Sequence, residues 1–187
     1  MAQAQIVIFF SGRGGNMVNL VRKLHQKNGI EVAAVLSNNP QAEGIAKAKA
    51  LGVPVLCVPH SDYPDRATFD AALVAALEPL APDLVVLAGF MRILTPVFTR
   101  RFETINIHPS LLPLFKGKEG IKESFRSGMK VGGVTVHRVD ETLDGGEILA
   151  QGCVPILPED TEQAYRERVH ALEYTLYPET IERLLLG

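Results

Sequence analysis

QIVIFFSGRGGNMVNLVRKLHQKNGIEVAAVLS, residues 5–37, is the stretch on which the fold turns. QIVIFF (5–10) is a continuous apolar run, without the alternation of a strand that wets one face. Such a run is expected where both faces of a sheet are covered, as in a parallel sheet. SGRGGN interrupts it, MVNLVRKLHQKNG follows with helical periodicity, and Gly29 stops the helix. EVAAVLS (31–37) reads as a second strand. Strand, helix and strand at this spacing form a βαβ unit, which winds right-handed.

The alternation continues outward. PQAEGIAKAKALG reads as a second helix ended by Gly52, PVLCV (54–58) as a third strand and ATFDAALVAALEPL as a third helix. DLVVLAG (83–89), a short helix TPVFTRRF and TINIH (104–108) complete five strands. After residue 128 the pattern changes. GGVTVHRVD and EILAQGCVPI are joined by ETLDGG, too short for a helical crossover, so they are expected to pair antiparallel at the sheet edge. A last helix is expected from Asp160, capped by that side chain with Gln163 reaching back, its apolar stripe being Tyr165, Val169, Leu172 and Leu176. The expected class is α/β: a Rossmann-like open, mostly parallel twisted sheet with helices on both faces and an antiparallel addition near the C-terminus. One domain over 1–187 is expected.

The net charge of −2, with lysines and arginines scattered apart from a small group near 116–130, points away from nucleic acid. No stretch reaches the apolar length of a membrane span. No basic region precedes IVIFF and no A-x-A site follows it, so a cytoplasmic protein is expected. Cys57 and Cys153 lie in apolar segments outside any CxxC pair and read as buried reduced thiols.

Four motifs carry chemistry. SGRGGN sits where strand turns into helix, and the free N–H groups of such a turn suit an anion, most often phosphate. Met17 stands where the dinucleotide fingerprint needs its third glycine, Ser37-Asn38-Asn39 where it needs an acid, and the Walker lysine is absent. A phosphate monoester fits better than NAD or ATP; a ligand-free tight turn is the bland alternative. In INIHPSLLP (105–113), Asn106 and His108 share one strand face while Ile105 and Ile107 take the other. They sit at the carboxyl end of a central strand, where open α/β sheets bind ligands. Asn donates hydrogen bonds and His moves protons near neutral pH, whereas a lone histidine usually only caps a strand. Asp144, followed by Gly145-Gly146, supplies a carboxylate, although Asp-Gly is also an ordinary hairpin turn. His137 reads as structural rather than as a second catalytic histidine. No ligand spacing such as HExxH supports a metal built on His108, His137 and a carboxylate, and no metal is expected. Glu173 lies beside the stripe of the last helix, where a carboxylate either snorkels to water or is buried for a ligand amine.

Taken in order, SGRGGN, LAGFMRILTP, INIHPSLLP, GVTVHRVDETLDGGEILAQG and ALEYTLYP resemble the phosphoribosylglycinamide formyltransferase family over nearly the whole chain. These folate-dependent formyltransferases move a formyl group from 10-formyltetrahydrofolate to glycinamide ribonucleotide in purine synthesis. The resemblance implies phosphate binding by Gly14, Gly15 and Asn16. It implies a folate pocket from Arg66, Met91, Arg92, Ile93, Leu94, Asn106, Asp140, Glu141, Thr142, Leu143 and Asp144. Glu173 would hold the substrate amine, and Asn106, His108 and Asp144 would form the catalytic trio. The implied partners are the two small molecules, with no nucleic acid and no membrane, in a monomer or homodimer. Three positions depart from the family's usual pattern: Gly15 replaces a serine, Tyr174 a histidine, and KGKEGIK (116–122) a loop with histidines.

Three rivals share part of this pattern. Formyltetrahydrofolate deformylase has a similar trio but an added N-terminal domain, and here the first strand already begins near residue 5. A non-catalytic sugar-phosphate binding module would use SGRGGN alone. Methionyl-tRNA formyltransferase would need a further C-terminal domain.

Overall fold

The computed structural model describes residues 3–187. Seven strands are formed: β1 (Ala4–Phe10), β2 (Ile30–Ser37), β3 (Val55–Cys57), β4 (Leu84–Leu87), β5 (Thr104–His108), β6 (Val131–Arg138) and β7 (Ile148–Pro155). The α-helices are α1 (Gly15–Leu24), α2 (Gly44–Ala50), α3 (Arg66–Leu77), α4 (Pro96–Thr99), α5 (Gly120–Arg126) and α6 (Glu162–Leu186). The sheet order is β3-β2-β1-β4-β5-β6-β7. The chain forms two compact units, Met1–Ile105 and Asn106–Gly187, and β5 begins in the first and ends in the second.

In the first unit β1 pairs parallel with β2 on one side and β4 on the other, and β2 pairs parallel with β3. The missing alternation in QIVIFF is explained by burial, because Ile6, Val7, Ile8, Phe9 and Phe10 are all fully buried. Met17, Leu20, Val21 and Leu24 form the buried stripe of α1. The Phe9 ring meets those of Phe90 and Phe98 at centroid separations of 5.1 and 5.5 Å, within the range of favourable edge and tilted contacts.

In the second unit β6 and β7 are antiparallel, as the short ETLDGG connection requires. Helix α6 buries Tyr165, Val169, Glu173, Tyr177 and Ile181, a four-residue spacing that keeps one face inward. The fully buried Tyr165 places its hydroxyl 2.9 Å from Ser124 Oγ of α5, so its one polar atom is satisfied. Gly132 of β6 leaves the room for this ring, since a Cβ there would stand 1.7 Å from the tyrosine oxygen.

Several expectations need correction. Cys57 and Cys153 are exposed, because β3 and β7 are the two edge strands of the sheet. Partial burial and the nearby Asp62 charge push the Cys57 thiol up, away from a reactive thiolate. Thr161, not Asp160, caps α6, accepting from the Ala164 N–H at 3.1 Å. Asp160 instead accepts from the Leu157 N–H and pairs with Arg168, while Gln163 reaches forward to Glu167. Leu172 and Leu176 are only half-buried; Glu173 takes the inward position between them. The segment after KGK is not all loop, for Gly120–Arg126 is helical with Ile121 and Ser124 buried.

Replacing Gly132 with alanine overpacks the Tyr165 site and is expected to lower stability by about 1–3 kcal/mol. Tyr165→Phe removes one buried hydrogen bond and should lower it by only about 1 kcal/mol. Urea unfolding midpoints of both variants test this order; an alanine variant as stable as the parent would show that the contact yields.

Candidate functional site

In the first unit, functional groups gather at the carboxyl ends of β1, β2 and β4. Ser11, just past β1, donates its hydroxyl to Asn38 Oδ1 at 2.6 Å and accepts from the Met91 N–H at 2.8 Å. Its own N–H donates to the Gly89 carbonyl at 3.0 Å. One small side chain therefore ties the glycine-rich turn to the ends of two neighbouring strands. Gly14 sits in the left-handed region at φ 72° as the N-cap of α1, where a Cβ would press on Met17 at 2.8 Å. No side chain caps this helix and no acidic residue lies in its first turn, so its N–H groups suit an anion. Lys47 donates to the Arg13 carbonyl at 2.8 Å, which keeps a cation beside the turn.

Residues 91–95 form the second feature of this unit. Met91 and Ile93 are exposed at 69% and 42%, while Leu94 is buried at 2%. Beneath them lies Asp70 of α3, a fully buried acid that the periodicity of its helix did not single out. It accepts from the Thr95 N–H at 2.5 Å and from the Thr95 hydroxyl at 2.7 Å, and so anchors the start of α4. Burial pushes the Asp70 carboxyl up, while the Thr95 hydrogen bonds and the guanidinium groups of Arg66 and Arg92 pull it down. The signal available in sequence was a lone acid inside the apolar run ATFDAALVAAL.

The second unit holds the polar cluster. Asn106, His108 and Asp144 come together, and His137 joins them. His108 is 5% exposed and its Nε2–H donates to the Phe115 carbonyl at 2.8 Å. Its Nδ1 lies 3.5 Å from Asp144 Oδ2. The same carboxylate oxygen accepts from the Gly117 N–H at 2.8 Å. Asn106 Nδ2 lies 3.2 Å from His137 Nε2, and His137 Nδ1–H donates to the Arg138 carbonyl at 2.8 Å. His137 Nε2 is 3.8 Å from Asp144 Oδ1. Burial pushes the His137 imidazole down and outweighs the opposite pull of Asp144.

The chain leaving β5 builds this arrangement. Ser110 donates its hydroxyl to the Leu114 carbonyl at 2.6 Å, and Thr135 of β6 donates to the Ser110 carbonyl and accepts from the Leu112 N–H. Gln151 of β7 donates to the Leu112 carbonyl at 2.9 Å. PSLLP is thus sewn onto the hairpin, and the chain turns back until the Phe115 carbonyl meets His108. Phe115 reaches this position at φ 55° and Asp144 lies at φ 48°, both in the left-handed region that non-glycine residues seldom adopt. Such strain is common at functional sites.

The 140–144 segment is closed by Asp140, which accepts from the Thr142 N–H at 2.7 Å and hydroxyl at 2.6 Å. These bonds pull its carboxyl down, with a further contribution from Lys116. Leu143 is left 51% exposed. On α6, Glu173 is 4% exposed and accepts from His170 Nδ1–H at 2.8 Å. His170, a partner the sequence did not flag, lies one turn before it. An open groove of about 420 Å³ runs along α5, lined by Phe115, Glu119, Lys122, Glu123, Arg126 and Ser127. It includes none of the trio and its charges are mixed, so the buried cluster is the better site. Among the described residues no group of three or more side chains has the arrangement of a metal site, and no helix is long and apolar enough to cross a membrane. His108 and His137 each have one ring nitrogen committed to a main-chain carbonyl.

Known proteins match the chain over nearly its whole length. The formyl transferase family matches residues 4–181. The phosphoribosylglycinamide formyltransferase of Bacillus subtilis is 38% identical over 184 residues, covering 97% of this chain and 94% of that protein. The trifunctional purine biosynthetic protein adenosine-3 of Drosophila melanogaster is also 38% identical, but the chain spans only 14% of its length. The crystal structure of phosphoribosylglycinamide formyltransferase from Campylobacter jejuni superposes with a TM-score of 0.95 at 42% identity, covering 98% of this chain and 99% of that one. The chain belongs to the formyl transferase family.

Proposed function

We propose that the chain transfers the formyl group of 10-formyltetrahydrofolate to the amine of 5'-phosphoribosylglycinamide, a step of purine biosynthesis. The observation that carries this reading is the meeting of half-buried Asn106 and Asp144 with the buried His108, whose Nδ1 is 3.5 Å from the carboxylate. A formyl transfer needs donors for the oxygen that becomes negative and a route for one proton. The cluster contains both.

In this reading the amine attacks the formyl carbon and the carbonyl electron pair moves onto oxygen. The Asn106 amide and the protonated His108 donate to that oxygen; one such donor typically lowers a barrier by about 3–4 kcal/mol. Collapse breaks the bond to the folate nitrogen. The amine loses a proton and the folate nitrogen gains one, through His108 with Asp144 and water. Nε2 stays on the Phe115 carbonyl, so Nδ1 is the nitrogen that exchanges the proton.

The substrates are assigned residue by residue. The phosphate takes the N–H groups of Gly14, Gly15 and Asn16, supported by the uncapped start of α1. The folate takes Arg66, Met91, Arg92, Ile93 and Leu94 with Asn106, Asp140, Glu141, Thr142, Leu143 and Asp144. The exposed side chains of Met91, Ile93 and Leu143 support this, since an apolar ring would cover them. The amine takes Glu173, a carboxylate already buried and oriented by His170. In this reading the reaction takes place in the cytoplasm and uses small molecules only; the net charge of −2 supports the absence of nucleic acid. In this reading Glu173 has a role in transfer that hydrolysis of the same donor would not require.

Mixing protein, 10-formyltetrahydrofolate and glycinamide ribonucleotide should release tetrahydrofolate only when all three are present. Release without the ribonucleotide would point to a deformylase, and none in any mixture would leave a binding module. His108→Ala and Asp144→Asn should each lower kcat by about 10²–10⁴-fold while the ribonucleotide still binds.

Gly120 gives a subtler test. A Cβ there would stand 3.1 Å from His108 Nε2 and 3.0 Å from the Phe115 carbonyl oxygen. Gly120→Ala should shift the imidazole by a few tenths of an ångström and lower kcat by about tenfold or more, with little change in KM. An unchanged kcat would mean that the ring position is not critical.

A further inference from the structure

We propose that His137 is a positioning residue: its unprotonated Nε2 accepts from the Asn106 amide and so determines which end of that amide serves the reacting formyl oxygen. The inference rests on the formyl transfer reading, in which Asn106 is an oxyanion donor.

A carboxamide has two ends of nearly equal size and opposite hydrogen-bonding character. Turned one way, Asn106 offers N–H to an oxyanion; turned the other, it offers a repelling lone pair. Something beside it must discriminate. His137 of β6 is 2% exposed, and its Nδ1 is 2.8 Å from the Arg138 carbonyl oxygen. A carbonyl only accepts, so Nδ1 carries the ring proton. In the neutral ring Nε2 is then an acceptor, and the atom 3.2 Å away must be the Asn106 nitrogen rather than its oxygen. One N–H of that nitrogen is used on His137 and the other is left for substrate.

The charges around His137 bear on whether it stays neutral. Asp144, at 3.8 Å, and Asp140 favour a proton; His108 and burial oppose it, and burial is the strongest influence. A proton on Nε2 would set two donors face to face and turn the amide round. His137 therefore reads the Asn106 orientation through an acceptor, and it touches neither substrate nor the reacting atoms.

Two variants and one spectrum test this. Glutamine can place its carbonyl oxygen near the Nε2 position and keep the acceptor; leucine cannot. His137→Gln should retain kcat within about tenfold of the parent, while His137→Leu should lose about 10²-fold with KM for both substrates changed little. In an Asn106→Ala background, His137→Leu should lower kcat no further, because the two residues act as one unit. Equal losses in the glutamine and leucine variants, or a full further loss in the double variant, would overturn the proposal. Histidine nitrogen NMR on the unaltered protein gives a reading independent of variant folding. The expected result at neutral pH is the Nδ1–H tautomer for His137; an Nε2–H tautomer or an imidazolium would sink the idea. Absence of turnover in the parent protein would instead refute the formyl transfer reading, and the spectrum would still decide the tautomer.

Discussion

The hydrogen bond from His108 Nε2 to the Phe115 carbonyl, 2.8 Å long, is the contact on which the second unit depends. It holds the ring in one orientation and points Nδ1 at Asp144. The bond exists only because the chain turns back within seven residues of leaving β5, and hydrogen bonds hold that turn at Ser110, Leu112 and Leu114. Ser110 closes it from inside, while Thr135 and Gln151 hold its outer strand from the hairpin. An unpaired buried polar group costs roughly 1–3 kcal/mol, so a loop with this many buried polar atoms has few alternatives. Proline and leucine in PSLLP fill the space that these hydrogen bonds enclose, and Leu112 is 5% exposed. The polar stitching gives the His108 ring its fixed position; the apolar filling keeps water from competing for it.

The first unit solves a different problem with equally few groups. A parallel sheet ends in a row of loops that must be tied together if a ligand is to meet a defined surface. Ser11 does this with three hydrogen bonds, to residues 38, 89 and 91. Asp70 does it from below, with two bonds to Thr95. Both side chains are short, so neither can move far without losing its partners. The surface they leave presents uncapped helix N–H groups at one place and exposed Met91 and Ile93 at another.

Much of this was legible in sequence, because apolar burial, the dominant driving force of folding, leaves the plainest pattern along the chain. Continuous apolar runs identified the parallel strands, and β5 begins and ends where TINIH does. Period-two alternation placed Asn106 and His108 on one face, the ETLDGG turn offered Asp144 as a carboxylate, and the resemblance grouped the three. What escaped was set by partners distant in sequence. Asp160 and Thr161 both look like helix caps, and the Leu157 N–H and Arg168, which engage Asp160, decide between them. Cys57 and Cys153 sit in apolar words but on edge strands, and edge position is a property of strand order. Glu173 was recognisable as anomalous, yet its burial depends on α6 turning that face inward. Helix α5 was hidden by the lysines around it, although Ile121, Ser124 and Phe125 already had helical spacing.

The two histidines of the cluster show how the surroundings assign different tasks to one side chain. His108 commits Nε2–H to a carbonyl and His137 commits Nδ1–H to another, so they are opposite tautomers. Each turns its remaining nitrogen toward Asp144, at 3.5 and 3.8 Å. Three acceptors then face one another in a buried space, and donors must be found for them. Asn106 supplies His137, and the Gly117 N–H supplies Asp144. Nδ1 of His108 is left facing a carboxylate oxygen 3.5 Å away. On Nε2 of His137 a proton would displace the Asn106 amide. The arrangement thus separates a histidine whose remaining nitrogen faces a carboxylate from one whose remaining nitrogen meets an amide, and the difference lies in which ring nitrogen a main-chain carbonyl has claimed.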